Sequence, residues 1–71
     1  MSAKQQHVFA DERRAAIMEM LERNASVQVA DIARTFGVST VTARGDLDAL
    51  ADAGKLRRTH GGAVSLHKRL T

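Results

Sequence analysis

The 71-residue chain has no cysteine and no proline, and no apolar run in it approaches the roughly 18 residues a membrane span needs. Without cysteine there is no disulfide and no thiolate metal site. The opening stretch, MSAKQQHVFADERR, lacks the apolar core of a signal peptide. These absences predict a soluble intracellular domain. There is no repeat and no low-complexity stretch. Catalytic groupings are missing too: no nucleophile, base and orienting partner fall together. The three histidines, His7, His60 and His67, match no metal-ligand spacing. A chain of this length is one small domain or a fragment of something larger, with a modest core.

One more absence carries direction. No acidic residue follows Asp52, while Lys55, Arg57, Arg58, Lys68 and Arg69 do, so that stretch carries +5. Residues 1 to 52 hold six basic and eight acidic side chains and carry −2. The asymmetry points to a polyanion met by the C-terminal part, and a solvated basic tail is the plainer alternative.

Periodicity supplies the elements. DERRAAIMEMLER predicts a first helix, with Ile17 and Leu21 one turn apart and Asp11 and Glu12 in the first turn, where the helix dipole favours negative charge. Val27 and Val29 alternate with polar residues and permit a very short strand. Ile32, Ala33 and Phe36 lie at helical spacing, and Gly37 stops that second helix. No Ser, Thr, Asn or Asp stands where its N-cap belongs. Ser39 is a suitable N-cap for a third helix running from Thr40 to Ala53, with Gly54 as its stop. Two strand-like runs then flank Gly61-Gly62, a pair suited to the type I′ turn of a two-residue hairpin. The order is that of a mostly α winged helix-turn-helix: three helices plus a β-hairpin, with room for a short extra strand.

On a wheel of about 100° per residue, Ala43, Leu47 and Leu50 form the core stripe of the third helix. Val41, Arg44 and Gly45 face outward, edged by Thr40 and Thr42, and Asp48 and Asp52 occupy the rear of that face. A recognition helix usually leads with its N-terminal half in the major groove. Here that half offers methyl groups, hydroxyls and one guanidinium, which suit thymine methyls, phosphates and guanine edges. Arg44 could instead pair with Asp48 one turn on. Asp46 lies beside the core stripe and reads as the structural partner of a basic residue, with the wing as a candidate source. Arg44-Gly45-Asp46 also spells the cell-adhesion tripeptide, which requires an exposed flexible loop rather than a capped helix. Gly45 costs its helix about 1 kcal/mol relative to alanine, and because it faces outward its small size leaves no hole in the core.

The segment VQVADIARTFGVSTVTARGDLDALADAGKLRRTHGGA closely resembles the N-terminal domain of DeoR-type bacterial transcription repressors. The likeness rests on Arg13, Ile17 and Leu21 in the first helix and Val29, Asp31, Ile32 and Ala33 opening the second. Phe36, Val38 and Ser39 carry it through the turn. Thr42, Arg44, Asp46 and Leu47 match the recognition helix, and Arg58, His60, Gly61, Gly62 and Ala63 match the wing. Ala43 stands for a larger aliphatic residue, and Gly45 stands where the family more often has a second basic one. The latter implies weaker non-specific affinity or an altered operator preference.

The resemblance implies a cytoplasmic bacterial protein with a C-terminal domain, beyond this sequence, that oligomerises and senses a sugar phosphate. The residues and the resemblance together lead us to expect a flexible arm over residues 1–9 and a winged helix-turn-helix over 10–66. Its helix-turn-helix motif spans about 27–46 and its wing about 55–66, and a basic tail or linker start covers 67–71. The expected partner is a double-stranded DNA operator of sugar or related carbon metabolism genes, with no cofactor, metal or membrane. The expected contacts are Ser39, Thr40, Val41, Thr42, Arg44, Gly45, Arg57, Arg58, His60, Gly61 and Gly62. A winged helix that binds proteins is the competing reading, set against a Thr/Arg face and basic wing that protein interface cores disfavour.

Overall fold

The computed structural model describes residues 9–66. The expected tail at 67–71, with His67, Lys68 and Arg69, lies outside them, as do His7 and all of the expected arm except Phe9. Helix α1 (Ala10–Asn24) repeats Arg13, Ile17 and Leu21 every four residues, and all three are buried. Strand β1 (Ser26–Gln28) leads directly into α2 (Val29–Phe36), and α3 (Thr40–Asp52) follows after a short turn. Strands β2 (Leu56–Thr59) and β3 (Gly62–Ser65) close the chain as a hairpin. Both β1 and β2 pair antiparallel with β3, so the sheet order is β1-β3-β2. This is a winged helix-turn-helix, and the short extra strand is part of its sheet.

Local chemistry sets each boundary. The hydroxyl of Ser39 accepts from the Thr42 N–H at 3.0 Å, which caps α3. Gly37 ends α2 with φ +67°, and Gly54 follows α3 with φ +76°, both left-handed conformations that suit glycine. Helix α2 starts at Val29, ahead of the Ile32 from which its spacing was read, so Val29 belongs to helix rather than to the strand. Its N-cap Gln28 makes no side-chain cap. Instead the Val29 N–H donates to the Gly61 carbonyl at 2.8 Å, so the turn of the wing satisfies one of the free donors at the helix start.

That turn differs from the one the glycine pair suggested. Thr59 pairs with Gly62, which leaves His60 and Gly61 as the two central residues. Neither Gly61 nor Gly62 has positive φ, so the turn is not type I′. Gly62 lies within β3, opposite Gln28. A Cβ built there would come 1.9 Å from the Val27 carbonyl oxygen. Glycine is required at this position by the approach of β1, not by the hairpin turn.

The core gathers Ile17 and Leu21 from α1, Ile32 from α2, Ala43, Leu47 and Leu50 from α3, and Val27, Leu56 and Ala63 from the sheet. Ile17, Ile32, Ala43 and Leu47 are fully buried. Burial of one such leucine or isoleucine side chain contributes about 1.5–3 kcal/mol. The stripe expected on α3 is therefore the one that packs, which fixes the opposite face of this helix toward solvent.

Candidate nucleic-acid interface

The outward face of α3 is built by exclusion. Because Ala43, Leu47 and Leu50 are committed to the core, Thr40, Val41, Arg44 and Gly45 are left exposed and Thr42 is half-buried. Val41 is 74% exposed, more than any other large apolar side chain among the described residues. Ser39 is exposed, but its hydroxyl is engaged at the cap, where it also donates to the Thr42 hydroxyl at 3.2 Å. Nothing approaches within 4 Å of the position a Cβ would take on Gly45. The helix is continuous through it, so neither backbone strain nor internal crowding calls for glycine there. Arg44 is exposed and makes no ion pair or hydrogen bond within the described residues; the pair with Asp48 considered from the sequence does not form.

Asp48 is taken by the wing. Its Oδ1 accepts from Nη1 of Arg58 at 2.5 Å, and Arg58 Nε–H donates to the Gly62 carbonyl at 3.0 Å. Arg57 is exposed, as are His60 and Gly61 at the turn, whereas Gly62 is buried. The expected set thus divides. Thr40, Val41, Arg44 and Gly45, with Ser39 and Thr42 at their edge, form one surface on α3. Arg57, His60 and Gly61 present themselves from the wing. Arg58 and Gly62 are occupied inside the domain.

Beneath the outward face lies an ion network that orients it. Asp46 is 1% exposed. It receives Arg13 through Nε to Oδ2, a second bond from Arg13 Nη2 to Oδ1 at 3.0 Å, and Arg14 Nε to Oδ1 at 3.0 Å. Its partners come from α1, not from the wing. Burial opposes ionisation of Asp46, but the hydrogen bonds and charges of Arg13 and Arg14 outweigh it and hold the carboxyl below the usual aspartate value. Hydrogen bonding to Asp46 likewise raises the Arg13 guanidinium against its own desolvation. Two arginines of α1 thus fix the rotation of α3 at a residue adjacent to Gly45. Burial also removes Asp46 from any adhesion tripeptide.

Arg13, Arg14, Asp48 and the Gly61 carbonyl were not anticipated as site-forming groups. Arg13 carried a legible signal. It stands one turn before Ile17 on the apolar stripe of α1, and a cation on such a stripe requires a buried acceptor. Among the described residues no group of histidine and carboxylate side chains is arranged to hold a metal ion. None of their helices is long and apolar enough to cross a membrane.

Residues 13–69 match the DeoR-like helix-turn-helix domain family. The chain is 46% identical over 55 residues to the transcriptional repressor AccR of Agrobacterium fabrum, covering 78% of this chain and 21% of that protein. It is 47% identical over 53 residues to a putative aga operon transcriptional repressor of Escherichia coli O157:H7, covering 75% of this chain and 20% of the other. The HTH-type transcriptional regulator GolR of Listeria innocua is 39% identical over 59 residues, covering 83% of this chain and 23% of its own length. The matched region is about a fifth of the length of these relatives. No solved structure matches.

Proposed function

The chain belongs to the DeoR-like helix-turn-helix family, and on that premise we propose that it is the operator-reading module of a bacterial transcriptional repressor. In this reading α3 enters the major groove with its N-terminal half leading. Val41 meets thymine methyls, the Thr40 and Thr42 hydroxyls meet phosphate or base edges, and the planar fork of Arg44 takes a guanine edge or a phosphate. Arg57, His60 and Gly61 follow the backbone from the wing. The observation that carries the reading is the state of the leading half of α3: exposed, capped, locked in rotation by Asp46, and bearing an arginine without an internal partner. A protein-binding winged helix has no comparable observation in its favour.

The relatives named for the aga operon and for galactitol utilisation support a carbon-metabolism operon as the target. We assign oligomerisation and the sensing of a sugar phosphate to a separate domain, and the site of action to the bacterial cytoplasm. The module does no chemistry of its own; it binds. The test is a salt titration of its affinity for duplex DNA. With several phosphates contacted, log affinity falls linearly with log salt at about −0.9 per contact, and a flat response overturns the proposal.

A further inference from the structure

The wing is fastened to both helices of the helix-turn-helix motif. The Gly61 carbonyl accepts from the first N–H of α2 at 2.8 Å. Arg58 reaches the other way, bridging the Gly62 carbonyl and Asp48 on α3. Strand alternation explains the direction. Leu56 and Arg58 share one face of β2 and turn toward the body of the domain, whereas Arg57 and Thr59 are exposed on the other. The Arg58 side chain is only 25% exposed, and its planar guanidinium donates to two acceptors, a carboxylate on the helix and a carbonyl on the neighbouring strand. We infer that Arg58 is a positioning residue, which sets the wing against the recognition helix through Asp48, and that the cations presented to DNA are Arg44 and Arg57.

The inference rests on the DNA-binding reading and divides the basic residues by task. With Nε on the Gly62 carbonyl and Nη1 on Asp48, the guanidinium is aimed at two internal acceptors, and swinging the whole fork onto a phosphate would break both bonds. It also accounts for Asp48 on a helix face turned toward a polyanion. Paired with Arg58, that carboxylate is neutralised where it stands.

A double-mutant cycle tests the inference. The affinity of the 71-residue protein for a short mixed-sequence DNA duplex is measured at low salt for the wild type, Asp48→Asn, Arg58→Gln and the double variant. Removal of the Asp48 charge favours DNA binding in either background, so that effect cancels across the cycle. If Arg58 positions the wing through Asp48, Asp48→Asn is less favourable with Arg58 present than with Gln in its place, by about two- to fivefold, the range expected for a partly exposed pair. If Arg58 is a phosphate ligand held back by Asp48, the sign reverses, because Asp48→Asn then frees the arginine. Equal effects in both backgrounds mean that the pair does not matter to binding; either of these outcomes overturns the inference. Should Arg58→Gln fail to fold by circular dichroism, Arg58→Lys replaces it. A lysine serves a phosphate as a point charge but cannot bridge both acceptors, so near wild-type affinity overturns the inference and reduced affinity supports it. Wild-type binding that does not respond to salt is a separate result and removes the DNA reading itself.

Discussion

Two aspartates stand two residues apart on α3 and lead different lives. Asp46 is 1% exposed and is held by Arg13 and Arg14 of α1; the Asp48 side chain is 64% exposed and is held by Arg58 of the wing. Both are ion pairs between elements. The inner one lies where water cannot replace a lost partner, so its members depend on each other for solvation as well as attraction. The outer one competes with water and salt at every moment and contributes little to stability. Their difference teaches that within one helix the same residue type can fix the fold or adjust the approach of a neighbouring element, and that burial decides which.

The largest effect expected from this contrast is at the inner site. Asp46→Ala leaves the buried Arg13 guanidinium without its carboxylate and is expected to cost about 3–5 kcal/mol. A domain this small has on the order of 5 kcal/mol in total, so the cooperative thermal transition should vanish or drop steeply. A variant that melts like the wild type breaks the comparison. The pair Arg13→Met with Asp46→Leu sharpens it: with no charge left buried between α1 and α3, much of the lost stability should return.

The inner pair should also be visible in acid. The folded carboxyl of Asp46 sits below its unfolded value of about 3.9, so its stabilisation is fully present above that pH. As pH falls through 3.9 toward the depressed native value, that stabilisation is lost. Melting curves of the wild type and Asp46→Asn over this range should converge as the pH drops. Parallel curves would mean that Asp46 titrates alike in both states.

Smaller effects belong to the outer face. Gly45→Ala should stabilise the free domain by about 0.5–1 kcal/mol, since the new methyl meets nothing within 4 Å and the helix loses a glycine. A lower melting temperature would mean that the backbone at Gly45 is constrained in a way its surroundings do not reveal. Asp48→Asn should change stability least, by no more than about 0.5 kcal/mol. A loss equal to that at Asp46 would erase the distinction between the two aspartates.

Much of this arrangement was legible in the residues. The stripe of Ala43, Leu47 and Leu50 follows from helical periodicity, which burial must obey. Ser39, Gly37 and Gly54 mark helix ends because capping is local chemistry. What could not be read was which elements meet. The wheel put Asp46 beside the core, but a wheel describes one helix and does not identify the neighbour that supplies its cations. The glycine pair misled for the same reason. Gly61-Gly62 has the composition of a tight hairpin turn, yet the demand on Gly62 comes from β1, more than thirty residues earlier in the chain. Arg58 reads as one more wing cation until Asp48 is found across from it.

The sheet order has a consequence for how the domain is made. Its central strand, β3, is the last of the three to be synthesised, and β1 and β2 pair only through it. Until Gly62–Ser65 has left the ribosome, Ser26–Gln28 has no strand to join and the Gly61 carbonyl is not yet available to the first turn of α2. A nascent chain stopped before Gly62 would therefore hold the sequence of α1, α2 and α3 but no sheet, with α2 and α3 still waiting for the strand that fastens the wing to them.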